Sequence, residues 1–271
     1  MTLLVTHIRG FVKEYLKRRH LVRELALRDF RSRYVGSSFG LLWALLQPFA
    51  MMSILWAVFS FGLKAGAQDN VGFAVWFFTA MIAWNFFNET LNATTNVYRE
   101  YSFLVKKMNF RLAILPLVKI LSALILHLVF IAIVMVILIA NGIAPGWQWL
   151  QVFYYLGAML FLLFGLSWLL SSLNVFSRDV AQVVAIITQF GFWATPIVWN
   201  YKKMPENLQF FVKFNPMFYI VEGYRKSLLY KTPLWEESPS LTLYYWGVAA
   251  LIFILGTVVF KKLKPHFADV L

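Results

Sequence analysis

Long apolar runs alternate along the chain with short segments rich in charge, glycine or proline. An α-helix needs about 20 apolar residues to cross a bilayer, and six runs approach or exceed that length. They cover residues 38–62, 71–95, 112–140, 147–173, 180–199 and 241–260. The pattern therefore predicts an all-α integral membrane protein with six transmembrane helices.

Residues 1–34 precede the first run and have a different pattern. Apolar side chains recur there at helical spacing, with basic side chains on the other face. The apolar positions are Ile8, Phe11, Val12, Tyr15 and Leu16. Basic amphipathic helices lie flat on anionic membrane surfaces. We expect residues 1–34 to form a cytoplasmic interface segment and residues 35–271 to form the six-span domain. No signal peptide is expected, because the first long run starts only after Arg33.

The composition agrees with a membrane protein. The chain is 61% hydrophobic and only 14% charged, and its mean hydropathy is +0.68, whereas soluble domains are about a quarter charged. Lys and Arg number 17 in the segments on one side of the predicted spans and 7 on the other. By the positive-inside rule both termini are expected in the cytoplasm. The same rule accounts for the net charge of +13, so nucleic acid is not an expected partner.

The segment 200–240 is the longest connection on the predicted external side. Its apolar stretches are too short to cross a membrane, and they alternate with charges and prolines. Backbone of this kind enters a membrane only where protein or a water-filled cavity satisfies its polar groups. We expect a pair of short re-entrant helices between the fifth and sixth spans. A helix lying in the outer headgroup layer is the alternative.

Several kinds of chemistry are missing from the sequence. There is no G-x-x-x-x-G-K-[ST] motif for ATP, no H-E-x-x-H and no G-x-S-x-G. No acidic pair has D-x-D spacing, and the fourth, fifth and sixth spans hold no ionisable residue. We therefore expect no catalytic residues, no metal site and no cofactor in this chain, which is not expected to be an enzyme.

Three ionisable residues lie in or near the other spans. His127 fits either a proton relay or a neutral histidine that packs between helices. Lys119 is close enough to the cytoplasmic surface for its ammonium group to reach water. Glu89 belongs to a polar stripe in the second span with Asn85 and Asn92, and either helix packing or ion binding would explain it.

Aromatic side chains crowd the first span and the outer end of the fifth. They are Trp43, Trp56 and Phe59 in the first, and Phe190, Phe192, Trp193 and Trp199 in and just after the fifth. Aromatic rings stack on the faces of sugars and allow them to slide. These seven residues are therefore candidates to line a path for a glycan, with a lipid-facing aromatic belt as the alternative.

Four motifs in order resemble one family over essentially the whole chain. They are RDFRSRYVGSSFGLLWALLQP (28–48), SRDV (177–180), ATPIVW (194–199) and NPMFYIVEGYR (215–225). The chain is similar to the membrane subunits of type-2 ABC transporters, in the subgroup that exports lipid-linked surface polysaccharides. No departure from the family pattern is evident.

The resemblance implies a permease of the bacterial inner membrane that works as a homodimer with two separate P-loop ATPase subunits. ATP and Mg²⁺ would then bind the partner. The substrate would be a polysaccharide on undecaprenyl diphosphate, such as O-antigen, teichoic acid or capsule. Pro196, Asn215, Pro216, Glu222 and Arg225 fall in the motifs around the external gate.

Two further sites follow from the resemblance. The diphosphate needs cationic partners at the cytoplasmic entrance of the channel, and Arg28, Arg31 and Arg33 are candidates. The loop 96–111 matches the position of a helix that couples the permease to its ATPase. The candidates there are Tyr98, Arg99, Tyr101, Phe103, Lys106 and Lys107.

Two rival functions remain open at this point. One is a small-molecule or drug efflux permease of the same superfamily, which needs no channel wide enough for a polymer. The other is a membrane enzyme of lipid-linked glycan assembly, which would need a catalytic carboxylate pair.

Overall fold

A computed structural model describes residues 19–33, 39–40, 42–69, 71–105 and 112–271. At residue 105 it describes the backbone only. The described residues are mainly helical, with one isolated bridge between Gln68 and Val71. The helices are α1 (19–32), α2 (Leu42–Ala57), α3 (Phe73–Thr95), α4 (Val97–Glu100), α5 (Ser102–Val105), α6 (Leu115–Ala140), α7 (Gln151–Phe176), α8 (Asp179–Ala194), α9 (Glu206–Lys213), α10 (Pro216–Arg225), α11 (Pro239–Leu263) and α12 (Phe267–Val270). The amphipathic helix predicted around residues 8–16 lies outside the described residues.

Four helical segments are long and apolar enough to cross a membrane: Leu42–Gly62, Leu112–Ala140, Trp147–Phe176 and Pro239–Val270. They contain α2, α6, α7 and α11 and match the first, third, fourth and sixth predicted spans. The second predicted span corresponds to α3, which has 23 residues and is therefore about 35 Å long at 1.5 Å per residue. Its length is sufficient, but its polar stripe lowers its hydropathy. The count of six spans therefore stays a prediction.

The helix α8, predicted as the fifth span, ends earlier than the sequence pattern indicated. The pattern extends to Trp199, but the helix stops at Ala194, and Thr195 has extended backbone angles (φ −91°, ψ 136°). The cause is Pro196, since a residue before proline is disfavoured in the α region and proline cannot donate a backbone hydrogen bond. α8 therefore has only 16 residues, about 24 Å.

The helices α3 and α7 form the centre of the bundle, with α6 and α11 against them. Two glycines bring α7 and α11 into close contact. A Cβ atom on Gly165 would lie 2.7 Å from the backbone of Phe253, and one on Gly256 would lie 2.2 Å from the carbonyl oxygen of Gly165. Small residues are the usual means by which membrane helices approach closely.

The two short helices between α8 and α11 differ in environment. In α10 the residues from Met217 to Arg225 are all buried, against α3, α7 and α11. By contrast, α9 has no buried residue, and the rings of Phe210 and Phe211 are exposed. The bundle thus encloses α10, as expected for a re-entrant helix, while α9 lies on its surface. The re-entrant pair itself stays a prediction.

Candidate functional site

The buried guanidinium of Arg225 organises one end of the bundle. Its Nη1 donates to Glu222 Oε1 at 2.6 Å and to the carbonyl oxygen of Pro196 at 2.7 Å, and its Nη2 donates to the carbonyl oxygen of Ile197 at 3.1 Å. The group also lies over the ring of Trp76, 3.4 Å from its centroid. Arginine stays charged at all ordinary pH values, so this burial is tolerated only because nearly every donor has a partner.

The start of α10 is fixed by Asn215 and Pro216. The side-chain oxygen of Asn215 accepts from the backbone N–H of Met217 at 2.9 Å, and its amide donates to Thr195 Oγ1 at 2.7 Å. Asparagine is a favoured N-cap and proline a favoured first helical residue. All five predicted gate residues therefore meet around α10 and the segment that follows α8. Trp76 and Thr195, which also contact these residues, were not among the candidates selected from the sequence.

A polar chain extends this cluster toward the loop between α2 and α3. Trp76 Nε1 donates to the hydroxyl of Tyr230 at 3.0 Å, and that hydroxyl donates to Asp69 at 3.0 Å. Lys202 reaches the same carboxylate at 2.9 Å. Burial alone would raise the pKa of Asp69, but the hydrogen bonds from Lys202 and Tyr230 outweigh it and hold the pKa below its usual value. We call Arg225, Glu222, Trp76, Asn215 and Thr195 the gate cluster.

A second cluster lies at the opposite end of α3, around Asp29 of α1. Asp29 accepts from Lys119 at 2.6 Å, from the hydroxyl of Tyr101 at 3.1 Å and from Arg33 at 3.1 Å. Arg33 also pairs with Glu89 at 2.5 Å, and Lys119 pairs with Glu100 at 2.5 Å. Asp29 lies in α1 and Arg33 directly after it, Glu89 lies in α3 and Lys119 in α6, and Glu100 and Tyr101 lie at the end of α4 and directly after it. We call these six residues the interface cluster.

The charges of the interface cluster change the electrostatics of Asp29. Burial by itself would raise the pKa of this carboxyl, but Lys119, through its hydrogen bond and charge, and the charge of Arg33 lower it below the ordinary value. The carboxylate is therefore ionised at neutral pH. The cluster also pairs Glu89 with Arg33, which agrees with the helix-packing interpretation of Glu89. Lys119 is buried and paired with Asp29 and Glu100, whereas the sequence led us to expect its ammonium group to reach water.

The three arginines predicted to bind a diphosphate have different surroundings. Arg28 and Arg31 are exposed, whereas Arg33 is held by two carboxylates. Next to α1 is a cavity of about 550 Å³ with apolar walls from α6, and Arg19, His20 and Arg23 at its edge. These basic residues were not among the candidates predicted to bind a diphosphate, although they belong to the basic pattern of the N-terminal segment.

The predicted coupling residues point in different directions. Tyr98 is fully buried, with its ring 5.0 Å from that of Phe267. Arg99 donates to the carbonyl oxygens of Asn174 and Val175 at 2.7 and 2.8 Å, at the end of α7. Tyr101 is half-buried in the interface cluster. Phe103 is 60% exposed, and it is the aromatic side chain of this loop that remains available to a partner within the described residues. Lys106 and Lys107 lie outside them.

The aromatic residues predicted to line a path lie mainly on two helices with exposed apolar faces. On α2, Trp43 is exposed and Trp56 is half-buried, and Phe59, in the helical turn that follows α2, is also half-buried. On α8, Phe190 and Trp193 are exposed, and Phe192 packs against Trp84. Trp199 follows α8, and its indole N–H donates to the carbonyl oxygen of Trp193 at 2.9 Å. The exposed faces of α2 and α8 are suited equally to lining a channel, to contacting a second copy of the chain or to facing lipid.

The buried His127 has a hydrogen-bond partner and a stacked aromatic neighbour. His127 Nε2 lies 2.9 Å from the hydroxyl of Tyr224, and its ring stacks on Phe86 at 4.4 Å. This hydrogen bond joins α6 to α10, as expected for a histidine that packs between helices. Within the described part of the chain, no group of three or more His, Asp or Glu side chains is placed to hold a metal ion.

Comparison with known proteins identifies similarity along nearly the whole chain. A family model described as "ABC-2 type transporter" matches residues 20–229. The O-antigen export system permease protein RfbA of Klebsiella pneumoniae is 25% identical over 246 residues, which cover 90% of this chain and 92% of that protein. The RfbA protein of Myxococcus xanthus with the same description is 22% identical over 262 residues, covering 95% and 98%.

Proposed function

The chain belongs to the ABC-2 type transporter family, and from that premise we propose that it is the permease subunit of an ATP-driven exporter of lipid-linked, O-antigen-type polysaccharide. The observation that carries the proposal is the end-to-end similarity to two permeases named for O-antigen export. Because the matches cover at least nine-tenths of each protein, the likeness extends through the gate cluster and the spans.

Two copies of the chain would enclose the channel. The exposed apolar faces of α2 and α8 support this arrangement, because these two helices have the smallest buried share among the helices that correspond to predicted spans. Exposed aromatic rings on both faces, such as Trp43 and Phe190, would offer a sliding surface to sugars. Weak, repeated contacts of this type suit a polymer that must keep moving.

The lipid end of the substrate carries a diphosphate, which needs cations near the cytoplasmic membrane surface. Arg28 and Arg31 are exposed and suited to this role. Arg19 and Arg23 supplement them, because they edge an apolar cavity where a lipid chain and its phosphate would be recognised together. Arg33 is already engaged by Asp29 and Glu89 and would instead position α1.

ATP would be hydrolysed by separate subunits that dock on the cytoplasmic side. Phe103 is the proposed anchor, and the interface cluster would carry its displacement to α1, α3 and α6. At the other end, α10 would act as the gate, moving as one unit with the gate cluster. Both termini would be cytoplasmic, and α9 and α10 external.

Deletion of the gene in the native bacterium tests the proposal. We expect surface polysaccharide to be lost and polyprenyl-linked glycan to accumulate in the inner membrane, with wild-type complementation restoring export. Normal surface polysaccharide together with altered resistance to small toxic compounds would instead support the efflux permease.

The absence of cysteine in the sequence makes the topology directly testable. Lys203→Cys and His266→Cys introduce thiols at exposed positions on opposite ends of the bundle. In intact cells we expect a membrane-impermeant thiol reagent to label the first variant only. Labelling of the second variant alone would reverse the proposed orientation.

A further inference from the structure

An unassigned pocket lies between α9, α10 and the start of α11, at the same end of the bundle as the gate cluster. Its volume is about 550 Å³, within the range of roughly 300–1,000 Å³ that is usual for small-molecule sites. Its walls come from separate segments of the region 201–244, so no single sequence motif marks it.

Aromatic rings form much of the pocket wall. Phe210 and Phe214 are 4.7 Å apart edge to face, and Phe214 is 5.6 Å from Tyr244 in the same manner. Tyr244 also donates to the carbonyl oxygen of Phe214 at 2.8 Å, which fixes α9 against α11. Phe210 and Phe214 are nonetheless substantially exposed, so they present ring surface to a ligand.

Charged and hydroxyl groups line the rest of the pocket, and its positive and negative side chains are equal in number. Lys226 pairs with both oxygens of Glu237 at 2.7 Å. Lys213 and Glu236 add one exposed group of each sign. The formal charges in the wall therefore cancel, which disfavours a phosphate or another anion as the occupant.

We propose that this pocket binds sugar units of the exported glycan after they leave the channel. A sugar combines an apolar C–H face, which stacks on the electron-rich face of an aromatic ring, with a rim of hydroxyls that donate and accept hydrogen bonds. The exposed rings and the carboxylate, ammonium and hydroxyl groups of the wall match both features. This inference takes its ligand from the proposed function, but the location of the site rests on the pocket.

The pocket also touches the gate helix. Phe218 and Lys226, at the two ends of α10, both contribute to its wall. A bound sugar would therefore contact the helix that carries Glu222 and Arg225. Occupancy of the pocket would hold the emerging polymer beside the gate and disfavour its return.

The direct test uses the complex of this chain with its ATPase in nanodiscs. The probe is the water-soluble oligosaccharide released by mild acid from the strain's own surface polysaccharide, and saturation-transfer NMR measures its affinity. We expect the double variant Phe210→Ala/Glu236→Gln to raise the dissociation constant of the oligosaccharide about tenfold, an ordinary effect for loss of a stacking and a hydrogen-bonding group. Trp235→Ala is the matched control, since Trp235 is an exposed ring on the same segment that stacks on Trp147 outside the pocket.

A second arm identifies the occupant in cells. A photo-crosslinker at the pocket edge, Ser240→p-benzoylphenylalanine, should capture glycan during export. Unchanged oligosaccharide affinity in the double variant, or crosslinks to phospholipid headgroups alone, would overturn the proposal. These results are distinct from failure of the proposed function, in which gene deletion would leave surface polysaccharide unaffected.

Discussion

The gate cluster and the interface cluster each place a basic side chain against a buried or nearly buried acid, yet they are built differently. Arg225 has its acidic partner one turn away on the same helix, and its other bonds go to backbone carbonyls and a ring. Asp29 accepts from Arg33 directly after α1, from Lys119 of α6 and from Tyr101 in the loop after α3. Fixed backbone partners suit a rigid unit, whereas long side chains from separate elements suit a joint between elements that move.

The two clusters also differ in how far their charged side chains are exposed to solvent. Arg225 is fully buried, but Arg33 and Glu89 have side chains that are 23% and 37% exposed. Water can replace part of a partly exposed ion pair and cannot replace a fully buried one. We therefore expect the gate cluster to be more sensitive to substitution than the interface cluster.

The largest effect is expected from Arg225→Ala. This change leaves Glu222 buried without its cationic partner and removes the bonds to the segment after α8, a class of lesion that costs about 3–5 kcal/mol. Thermal unfolding of the purified protein in detergent measures the loss. Arg225→Lys should recover only part of the stability, because an ammonium group lacks the planar fork that reaches both carbonyls.

The exposed ion pair at the same end provides the control. Lys202→Ala removes a bond to Asp69 from a side chain that is half exposed, and such pairs contribute at most about 1 kcal/mol. If Arg225→Ala and Lys202→Ala had equal effects on stability, the gate cluster would not be a rigid unit.

A smaller but distinct effect is expected from Lys119→Met. The methionine matches the length of the lysine stem but leaves Asp29 and Glu100 without their shared cation, at a cost of about 1.5–3 kcal/mol for the charged hydrogen bonds. The double variant Asp29→Asn/Lys119→Met should lose less than the two single variants together, because contacting residues are not additive. Additive losses would show that the two side chains are not coupled.

The pH dependence of the interface cluster follows from the lowered pKa of Asp29. A carboxyl whose pKa is lower in the folded state stabilises the protein above its unfolded value, here 3.8, and loses that contribution as the pH falls through the folded value. Acid should therefore loosen α1 in the wild type. Protease digestion after acid exposure measures this loosening, and Asp29→Asn should show a flatter profile.

The sequence predicted the positions of the long apolar helices well, because their length and hydropathy depend only on local composition. The motifs at 194–199 and 215–225 also contain residues that meet in the structure, although their role as a gate stays a prediction. The sequence could not predict the partner of Asp29, since Lys119 lies 90 residues away and charge alone does not specify pairing. The end of α8 was misplaced because the apolar pattern continued past Pro196.

The orientation of the loop after α3 was the least predictable feature. Tyr98, Tyr101 and Phe103 look equivalent in the sequence, but tertiary contacts separate them. Phe267, near the other end of the sequence, covers Tyr98, and the hydroxyl of Tyr101 is drawn to Asp29. Only the three-dimensional arrangement leaves Phe103 as the exposed ring.

The smallest effect on stability, with a specific effect on function, is expected from Phe103→Ala. Phe103 is exposed, and exposed substitutions usually change stability by no more than about 0.5 kcal/mol. If it anchors the ATPase subunit, however, its loss should weaken the complex by about 2 kcal/mol, as for other aromatic hot spots. Pull-down and ATPase assays of the reconstituted complex measure this. Lys262→Ala, an exposed change at the end of α11, is the control and should leave association intact. Wild-type association, hydrolysis and export in Phe103→Ala would exclude the loop after α3 as the coupling element, and Arg178 between α7 and α8 would be the next residue to test.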